Sequence, residues 1–416
     1  MPANLTRSTD MLVSPGVIRD PCSIVSRRSF LQVVAGSALG WTYASPIGLA
    51  KSMTSESQLP RRSAQQIILI FLAGGPSQID TWDPKPSAPV EFRNIDPSCA
   101  TSVPGVWISQ NLPGMAKRMH QVALVRSLSH DGPATHSAGL QLLMTGQCFY
   151  HHETAPDIGS VLSRLLGGTG DLPANVVLGG RLAQDFAAGG DGQTTTWLGP
   201  QHAPHFADLS STANRSSVFD QSLDVQRETW QVQRQYGFHD LGRMCLQARR
   251  LVEHGVRIVT VNQFRSVLDQ TTWDMHANGG RLNSTAADYR DTLCPQLDQA
   301  LCGLLDDLSD RGLLAETVVA VCGEMGRSPV INRYGGRDHH TGAWSALLAG
   351  GPILPGVVVG STDAFGANPE TRPVTPAELS ATLYHSLGID AARTLGSGLT
   401  GTPWAVSAVE PINELF

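Results

Sequence analysis

The sequence predicts an α/β layered domain built on a mostly parallel sheet, and three observations carry that prediction. Residues 67–72, 256–261 and Thr317–Cys322 are short, largely apolar runs, as strands buried on both faces require. Longer segments with apolar residues at helical spacing lie between such runs. Glycines mark the changes from one kind of element to the other, as at Gly255 and Gly312. In chain order, the first strand, 67–72, stops at Ala73-Gly74-Gly75-Pro76. A second apolar run, 122–125, precedes a helix-like segment over 135–144, closed by Thr145-Gly146. Residues 176–178 form a short strand before Gly179-Gly180. Residues 181–238 are polar and rich in Gly and Ser; they read as an irregular insertion that either caps a pocket or makes a surface excursion. A helix over 241–254 ends at Gly255 and runs straight into strand 256–261. Residues 284–311 are helical, with Leu293, Leu297, Leu301, Leu304, Leu305 and Leu308 in an apolar stripe, and Pro295 either bends that helix or starts a new one. Strands follow at Thr317–Cys322 and Trp344–Ala349. The last helix is capped by Thr375, opened by Pro376, braced by Glu378 in a capping box and ended by Gly388.

The amino terminus reads as an address rather than a fold element. Arg27-Arg28 lies in Ser26-Arg27-Arg28-Ser29-Phe30-Leu31-Gln32, ahead of uncharged residues 33–50, the pattern of a twin-arginine export signal. Gly, Ser and Pro within that run make it too polar for a good membrane-spanning helix. Ala44 or Ala50 could end the signal, and Met11 could be the true start. The expected organisation is a signal over 1–50, a linker over 51–64, one domain over 65–400 and a tail over 401–416. A formal net charge of −6, 30 Lys plus Arg and the lack of a basic stripe exclude a nucleic-acid binder. Beyond the signal no stretch approaches 18 apolar residues, so the mature chain is not expected to be an integral membrane protein. The seven cysteines show no CxxC spacing, so a zinc knuckle or haem-attachment motif is not present. Twin-arginine export carries folded proteins, which suits a metal loaded before transport.

In an open α/β sheet, ligands bind beyond the carboxyl ends of the strands, so the residues following each strand matter. The first strand is followed by Gly74-Gly75-Pro76-Ser77-Gln78-Ile79-Asp80-Thr81-Trp82-Asp83, and strand 256–261 by Trp273-Asp274-Met275-His276. Gly323-Glu324-Met325-Gly326-Arg327 follows Thr317–Cys322, and Gly336-Arg337-Asp338-His339-His340-Thr341-Gly342 precedes Trp344–Ala349. Carboxylates with neutral imidazoles are the ligand mix of zinc, manganese or a mixed dinuclear site, and a cation offsets charge on a transferred phosphate or sulfate group. The plainer readings are a loop hydrogen bond for Asp274 and His276, a structural ion pair for Glu324 and Arg327, and exposed loop histidines for His339 and His340. His151-His152-Glu153 and the pair His202 and His205 are weaker candidates.

Those strings carry a resemblance. The stretch from Phe71 through Asp80-Thr81-Trp82-Asp83-Pro84-Lys85-Pro86, with Trp273-Asp274-Met275-His276, Gly323-Glu324-Met325-Gly326-Arg327-Ser328-Pro329 and Gly336-Arg337-Asp338-His339, resembles the family called domain of unknown function 1501 over about residues 65–395. That family is grouped with the alkaline phosphatase and sulfatase superfamily. The grouping implies an alkaline-phosphatase-like three-layer sandwich with helices on both faces of a mostly parallel central sheet, and a divalent metal at the strand ends. Sulfatases and related phosphodiesterases place their nucleophile ten residues before the Gly of a Leu-x-Thr-Gly helix end; Leu143-Met144-Thr145-Gly146 resembles that end, and the count reaches His136, between Thr135 and Ser137. The Cys-x-Pro-x-Arg signal of sulfatases is absent. Gly74-Gly75 stand where a metal-binding Asp is usual, with Asp80 or Asp83 as substitutes. Glu324 falls at an Asp position, His339-His340-Thr341-Gly342 resembles a His-Thr-Gly metal-site string, and Asp274 with His276 matches an expected ligand pair.

Two functions follow from the resemblance and the residues together. The first is an exported hydrolase of phosphate or sulfate esters, periplasmic or extracellular, delivered by the twin-arginine translocase and acting on an anionic small-molecule or polysaccharide ester. Asp274, His276, Glu324 and His339, with His340, Asp338 and Asp80 as further candidates, would hold zinc, manganese, magnesium or calcium. Arg327 would pair with a substrate oxygen, and His136, Thr135 or Ser137 would attack, or His136 would orient a metal-bound water. The second is a binding or scaffolding protein that keeps the sheet but has lost turnover.

Overall fold

The computed structural model describes residues 63–147, 155–183, 193–207, 217–268, 270–277, 284–390, 393–397 and 403–416. The expected signal over 1–50, most of the linker and His151-His152-Glu153 lie outside the described residues. The strands that position the site are β1 (Gln66–Phe71), β2 (Val122–Leu128), β3 (Asn175–Leu178), β4 (His205–Phe206), β5 (Ile258–Asn262), β6 (Thr317–Cys322), β7 (Gly326–Arg327), β8 (His339–His340), β9 (Trp344–Ala349) and β10 (Val358–Val359). The packing helices are α1 (His136–Thr145), α2 (Ile158–Leu166), α3 (Asp240–Glu253), α4 (Cys294–Asp310) and α5 (Pro376–Ser386).

Eight strands form one sheet in the order β10-β2-β9-β6-β1-β5-β3-β4. All pairs are parallel except the two made by β9, which runs antiparallel to both β2 and β6. The mostly parallel sheet expected from the apolar runs is therefore present. At its centre β1 pairs with β5, Ile67 opposite Ile258, and with β6, Ile67 opposite Val318. Strand period 2 splits β1 between two cores. Ile68 and Ile70 pack with Leu251 and Met244 of α3 and Leu297, Leu301 and Leu304 of α4. Ile67, Leu69 and Phe71 pack on the other face with Leu140 of α1, Val161 and Leu162 of α2, and Leu379 and Leu383 of α5. The result is helix, sheet, helix. Each fully buried Ile or Leu contributes about 1.5–3 kcal/mol relative to exposure, and the buried positions of β1, β5 and β6 are accordingly apolar apart from Thr260 and Asn262 in β5 and Thr317 at the start of β6.

Local signals shaped the helices largely as expected. Thr375 accepts a hydrogen bond from the Glu378 backbone and the Glu378 side chain returns to Thr375, completing the capping box of α5. The long segment before β6 is not one helix. Ala286–Asp288 opens into a wide π turn over Tyr289–Leu293, and α4 starts at Cys294 with Pro295 in its first turn, where a missing N–H costs nothing. The stretch expected to be irregular over 181–238 is more structured than its composition suggests. Its described part supplies edge strand β4 and short helices at Val218–Leu223 and Trp230–Tyr236. Tyr236 is buried there and donates its hydroxyl to Asp307 at 2.9 Å, so this part of the segment packs into the α3–α4 core.

Outside the sheet, β7 and β8 pair antiparallel, Arg327 opposite His339 and Gly326 opposite His340. This ribbon brings residues after β6 and before β9 together above the carboxyl ends of the central strands.

Candidate metal centre

Four chain segments deliver side chains to one point at the carboxyl end of the sheet. The loop after β2 leads into α1 and places His136 at its first turn. The loop after β5 carries Asp274 and His276, the turn after β6 carries Glu324 and Arg327, and β8 carries His339. Asp274 is the hub and is almost fully buried. His276 Nε2 lies 3.0 Å and His339 Nε2 3.1 Å from its Oδ1, while His136 Nε2 lies 3.5 Å from its Oδ2.

Each imidazole is held by its other nitrogen. His136 Nδ1 meets Glu324 Oε1 at 2.6 Å, His339 Nδ1 meets the Ala134 carbonyl at 2.9 Å, and His276 Nδ1 meets Asp338 Oδ1 at 3.3 Å. Carbonyls and carboxylates only accept, so each Nδ1 carries a hydrogen, and each Nε2, which faces the Asp274 carboxylate, needs a positive charge between them: a second proton on the ring, or a cation to which the nitrogen offers its lone pair. A histidine fixed through one nitrogen by a carboxylate or carbonyl, with the other nitrogen presented, is the usual outer-shell arrangement of a metal-binding imidazole. Among the described residues, ligand atoms of His136, Asp274 and His339 lie within 4.8 Å of one another. Asp274 Oδ2 makes no hydrogen bond among those residues despite its burial. A proton on each ring meets that need at the cost of charging buried imidazoles, whereas one cation meets it for all three at once. The donor set therefore fits a divalent cation of the kind imidazole and carboxylate select.

Without a cation, protons and Arg327 supply that charge. Burial disfavours charged His136, but Asp274 and Glu324 beside it prevail and raise its pKa to about 9. Burial works against ionised Asp274 too, yet the Arg327 guanidinium and the surrounding imidazoles hold its carboxyl far below the usual range. His339, buried among these groups, is shifted down.

The structure differs from the sequence expectation at several positions. Arg327 is fully buried: its guanidinium contacts Asp274 Oδ1 and the Gly74 carbonyl, and donates to the carbonyls of Gly75 at 2.9 Å and Arg337 at 3.2 Å. Its fork is occupied, so it braces the site rather than waiting for a substrate oxygen. Glu324 does not face the shared point. Its oxygens accept from the Gly74 and Gly75 backbones at 3.0 and 3.2 Å, and it stands behind His136. Asp80 is elsewhere, tied to Arg337 at 2.6 Å and to the Ser77 hydroxyl at 2.6 Å. Asp83 pairs with Lys85 and Arg126. His340 points away from its neighbour His339, as alternation along a strand demands, and its Nε2 meets the Ala367 carbonyl at 2.6 Å. Asp338 is exposed and reaches the centre only through His276. Thr135 is exposed and caps α1, accepting from the Ala138 backbone at 3.3 Å. Ser137 is buried. His202 contacts Ser163 at 3.2 Å.

Sequence reasoning overlooked the backbone. Gly74 and Gly75 are where a side-chain ligand was expected, and both their N–H groups and their carbonyls are used. A Cβ on Gly74, whose φ is +112°, would lie 2.5 Å from the Asp274 nitrogen. The signal was the glycine pair itself, directly after a buried strand. Gln78 was also missed: its amide makes a reciprocal pair with the Arg327 backbone at 2.8 and 2.9 Å.

The sequence matches the family described as "Protein of unknown function (DUF1501)" over residues 64–220 and 205–416. No curated protein matches it. Among solved structures, the chain is similar to a Bacteroides thetaiotaomicron protein studied for metabolism of multiple glycosaminoglycans, at 13% identity and a TM-score of 0.43, covering 78% of this chain and 73% of that one. It is also similar to a protein in the alkaline phosphatase superfamily from Vibrio parahaemolyticus, at 12% identity and a TM-score of 0.40, covering 79% and 67%. A third is the PsFucS1 sulfatase from Pseudoalteromonas sp., at 12% identity and a TM-score of 0.38, covering 79% and 68%.

Proposed function

The chain belongs to the DUF1501 family, and we propose that it is an exported, metal-dependent hydrolase of phosphate or sulfate esters. One observation carries the reading: three imidazoles, each anchored through Nδ1, turn Nε2 to the single buried carboxylate of Asp274. His136, Asp274 and His339 would hold a divalent ion, with His276 beside them. Such an ion would offset the negative charge of an ester's non-bridging oxygens as the ester bond breaks. Glu324 keeps His136 oriented, and Arg327 keeps Asp274 ionised and in place. Of the three nucleophile candidates, His136 is committed to two carboxylates and Ser137 is buried. Thr135 is exposed at the amino end of α1, where backbone N–H groups and the helix dipole favour an anion. We assign Thr135 the attack: its oxygen bonds the phosphorus or sulfur as the ester's P–O or S–O bond breaks, its proton leaves with the alkoxide as the alcohol, and water then displaces Thr135, releasing phosphate or sulfate and returning a proton to the Thr135 oxygen.

The second reading, a binding protein without turnover, is favoured by one contact, the Arg327 guanidinium already on Asp274. Metal analysis and turnover separate the two. Purified wild-type protein should hold a stoichiometric divalent ion and cleave aryl phosphate or sulfate esters in a chelator-sensitive way. Asp274→Asn should bring both to background, and Glu324→Gln should weaken metal affinity by roughly 10–100-fold, the usual effect of losing an outer-shell partner. A wild-type chain with no stoichiometric ion and no chelator-sensitive turnover overturns the hydrolase. A bound ion with no turnover leaves only the binding protein.

A further inference from the structure

We propose that the metal centre takes one exchangeable divalent ion and that the Arg327 guanidinium is a fixed second cation beside it. This rests on the reading of His136, Asp274 and His339 as ion ligands, and it sets the number of ions they hold at one.

Arg327 sits in a cage of the kind a metal ion would use. A guanidinium has five N–H donors and no acceptor, and here all five have partners. Nε donates to the Gly75 carbonyl at 2.9 Å. One terminal nitrogen donates to the Arg337 carbonyl at 3.2 Å and to His276 Nε2 at 3.3 Å. The other donates to the Gly74 carbonyl and to Asp274 Oδ1. Three carbonyls, a carboxylate oxygen and an imidazole nitrogen are donors that divalent cations accept, and the guanidinium takes that place. Arg327 is fully buried, and the Gln78 amide pairs with its backbone at 2.8 and 2.9 Å. Its charge persists at any pH that leaves the protein folded, and a chelator does not remove it.

The three histidines divide accordingly. His276 Nδ1 carries its hydrogen toward Asp338, so the Nε2 lone pair is what meets Arg327, and His276 has its positive partner already. His136 and His339 are the imidazoles whose ligand atoms converge with Asp274 within 4.8 Å. Asp274 Oδ2, the oxygen nearer His136, makes no hydrogen bond among the described residues, whereas Oδ1 is on Arg327. Among the described residues this leaves one place for an ion. Charge leads to the same count. Two buried carboxylates, Asp274 and Glu324, and one buried guanidinium leave a single net negative charge when the imidazoles are neutral. One divalent ion turns that into a single positive charge. A second ion would make it three, away from water, which is strongly unfavourable.

The test counts ions and does not depend on turnover. The chelator-treated full chain is titrated calorimetrically with Mn²⁺ and, separately, with Zn²⁺, and the ions retained after desalting are counted by elemental analysis. Wild type should retain one per chain. Arg327→Met, neutral and of similar reach, should retain two, because the vacated carbonyls, Asp274 Oδ1 and His276 then lack a cation. Arg327→Lys keeps the charge and should return the count to one. If Arg327→Met does not fold, the histidines decide in the presence of Arg327: His276→Ala should weaken the ion by no more than the roughly 10–100-fold of an outer-shell partner, and His339→Ala by more. Two ions in wild type or in Arg327→Lys, one ion in a folded Arg327→Met, or equal losses for His276→Ala and His339→Ala overturns the proposal. Two ions in wild type with chelator-sensitive turnover would leave the hydrolase standing. One ion without turnover would overturn the hydrolase and leave the count standing, and no retained ion would overturn both.

Discussion

Arg327 has no exposed surface, and its partners define what it can do. It contacts Asp274 and three backbone carbonyls, those of Gly74, Gly75 and Arg337. A buried carboxylate that loses such a partner is left as an uncompensated charge, which costs about 3–5 kcal/mol. Arg327→Ala is therefore expected to lower stability by that order in denaturant unfolding. Unchanged unfolding with only a raised KM would restore Arg327 to the substrate-contacting role its sequence position suggested. The same scale explains why Glu324 and Arg327 could not be assigned from sequence. Both occupy strand-end positions compatible with a ligand or a structural ion pair. The structure gave each a supporting part: Glu324 holds His136, and Arg327 holds Asp274.

At the scale of elements, the site depends on how closely three loops approach. Gly74 threads between the Asp274 backbone and Arg327, and Gly139 of α1 lies against Glu324, where a Cβ would be 2.4 Å from the carbonyl oxygen. Overpacking of this kind costs about 1–3 kcal/mol or more. Gly74→Ala should therefore destabilise more than Gly105→Ala, because Gly105 also has a positive φ, +81°, but open space around its Cβ position. Paired denaturant titrations check this; equal losses would mean that backbone strain alone, not close approach, explains Gly74. Ribbon β7–β8 shows a second element-scale decision. Period 2 sends His339 to the centre and His340 to Ala367, so adjacent histidines of like appearance in the sequence have unlike fates.

For the whole molecule, the two cores on opposite faces of one sheet explain how distant segments meet at its carboxyl edge. No helix of the described residues is long and apolar enough to cross a membrane. The proposed export can be tested on the full chain: Arg27→Lys with Arg28→Lys should retain the protein in the cytoplasmic fraction, and unchanged export on fractionation would remove the twin-arginine reading. The sequence alone determined the layered fold, the succession of its central strands and helices along the chain, the capped last helix and the presence of ligand-type residues after the strands, while their order within the sheet came from the tertiary structure. It could do so because these depend on short-range periodicity and on local backbone chemistry, which neighbouring residues encode. Only the tertiary structure decided that His136 joins Asp274, His276 and His339, that Glu324 and Arg327 stand behind them, and that Asp80 and His340 belong elsewhere. Those assignments are set by contacts between residues as far apart as Gly74 and Glu324, whose geometry depends on sheet register and loop packing and is written in no local pattern.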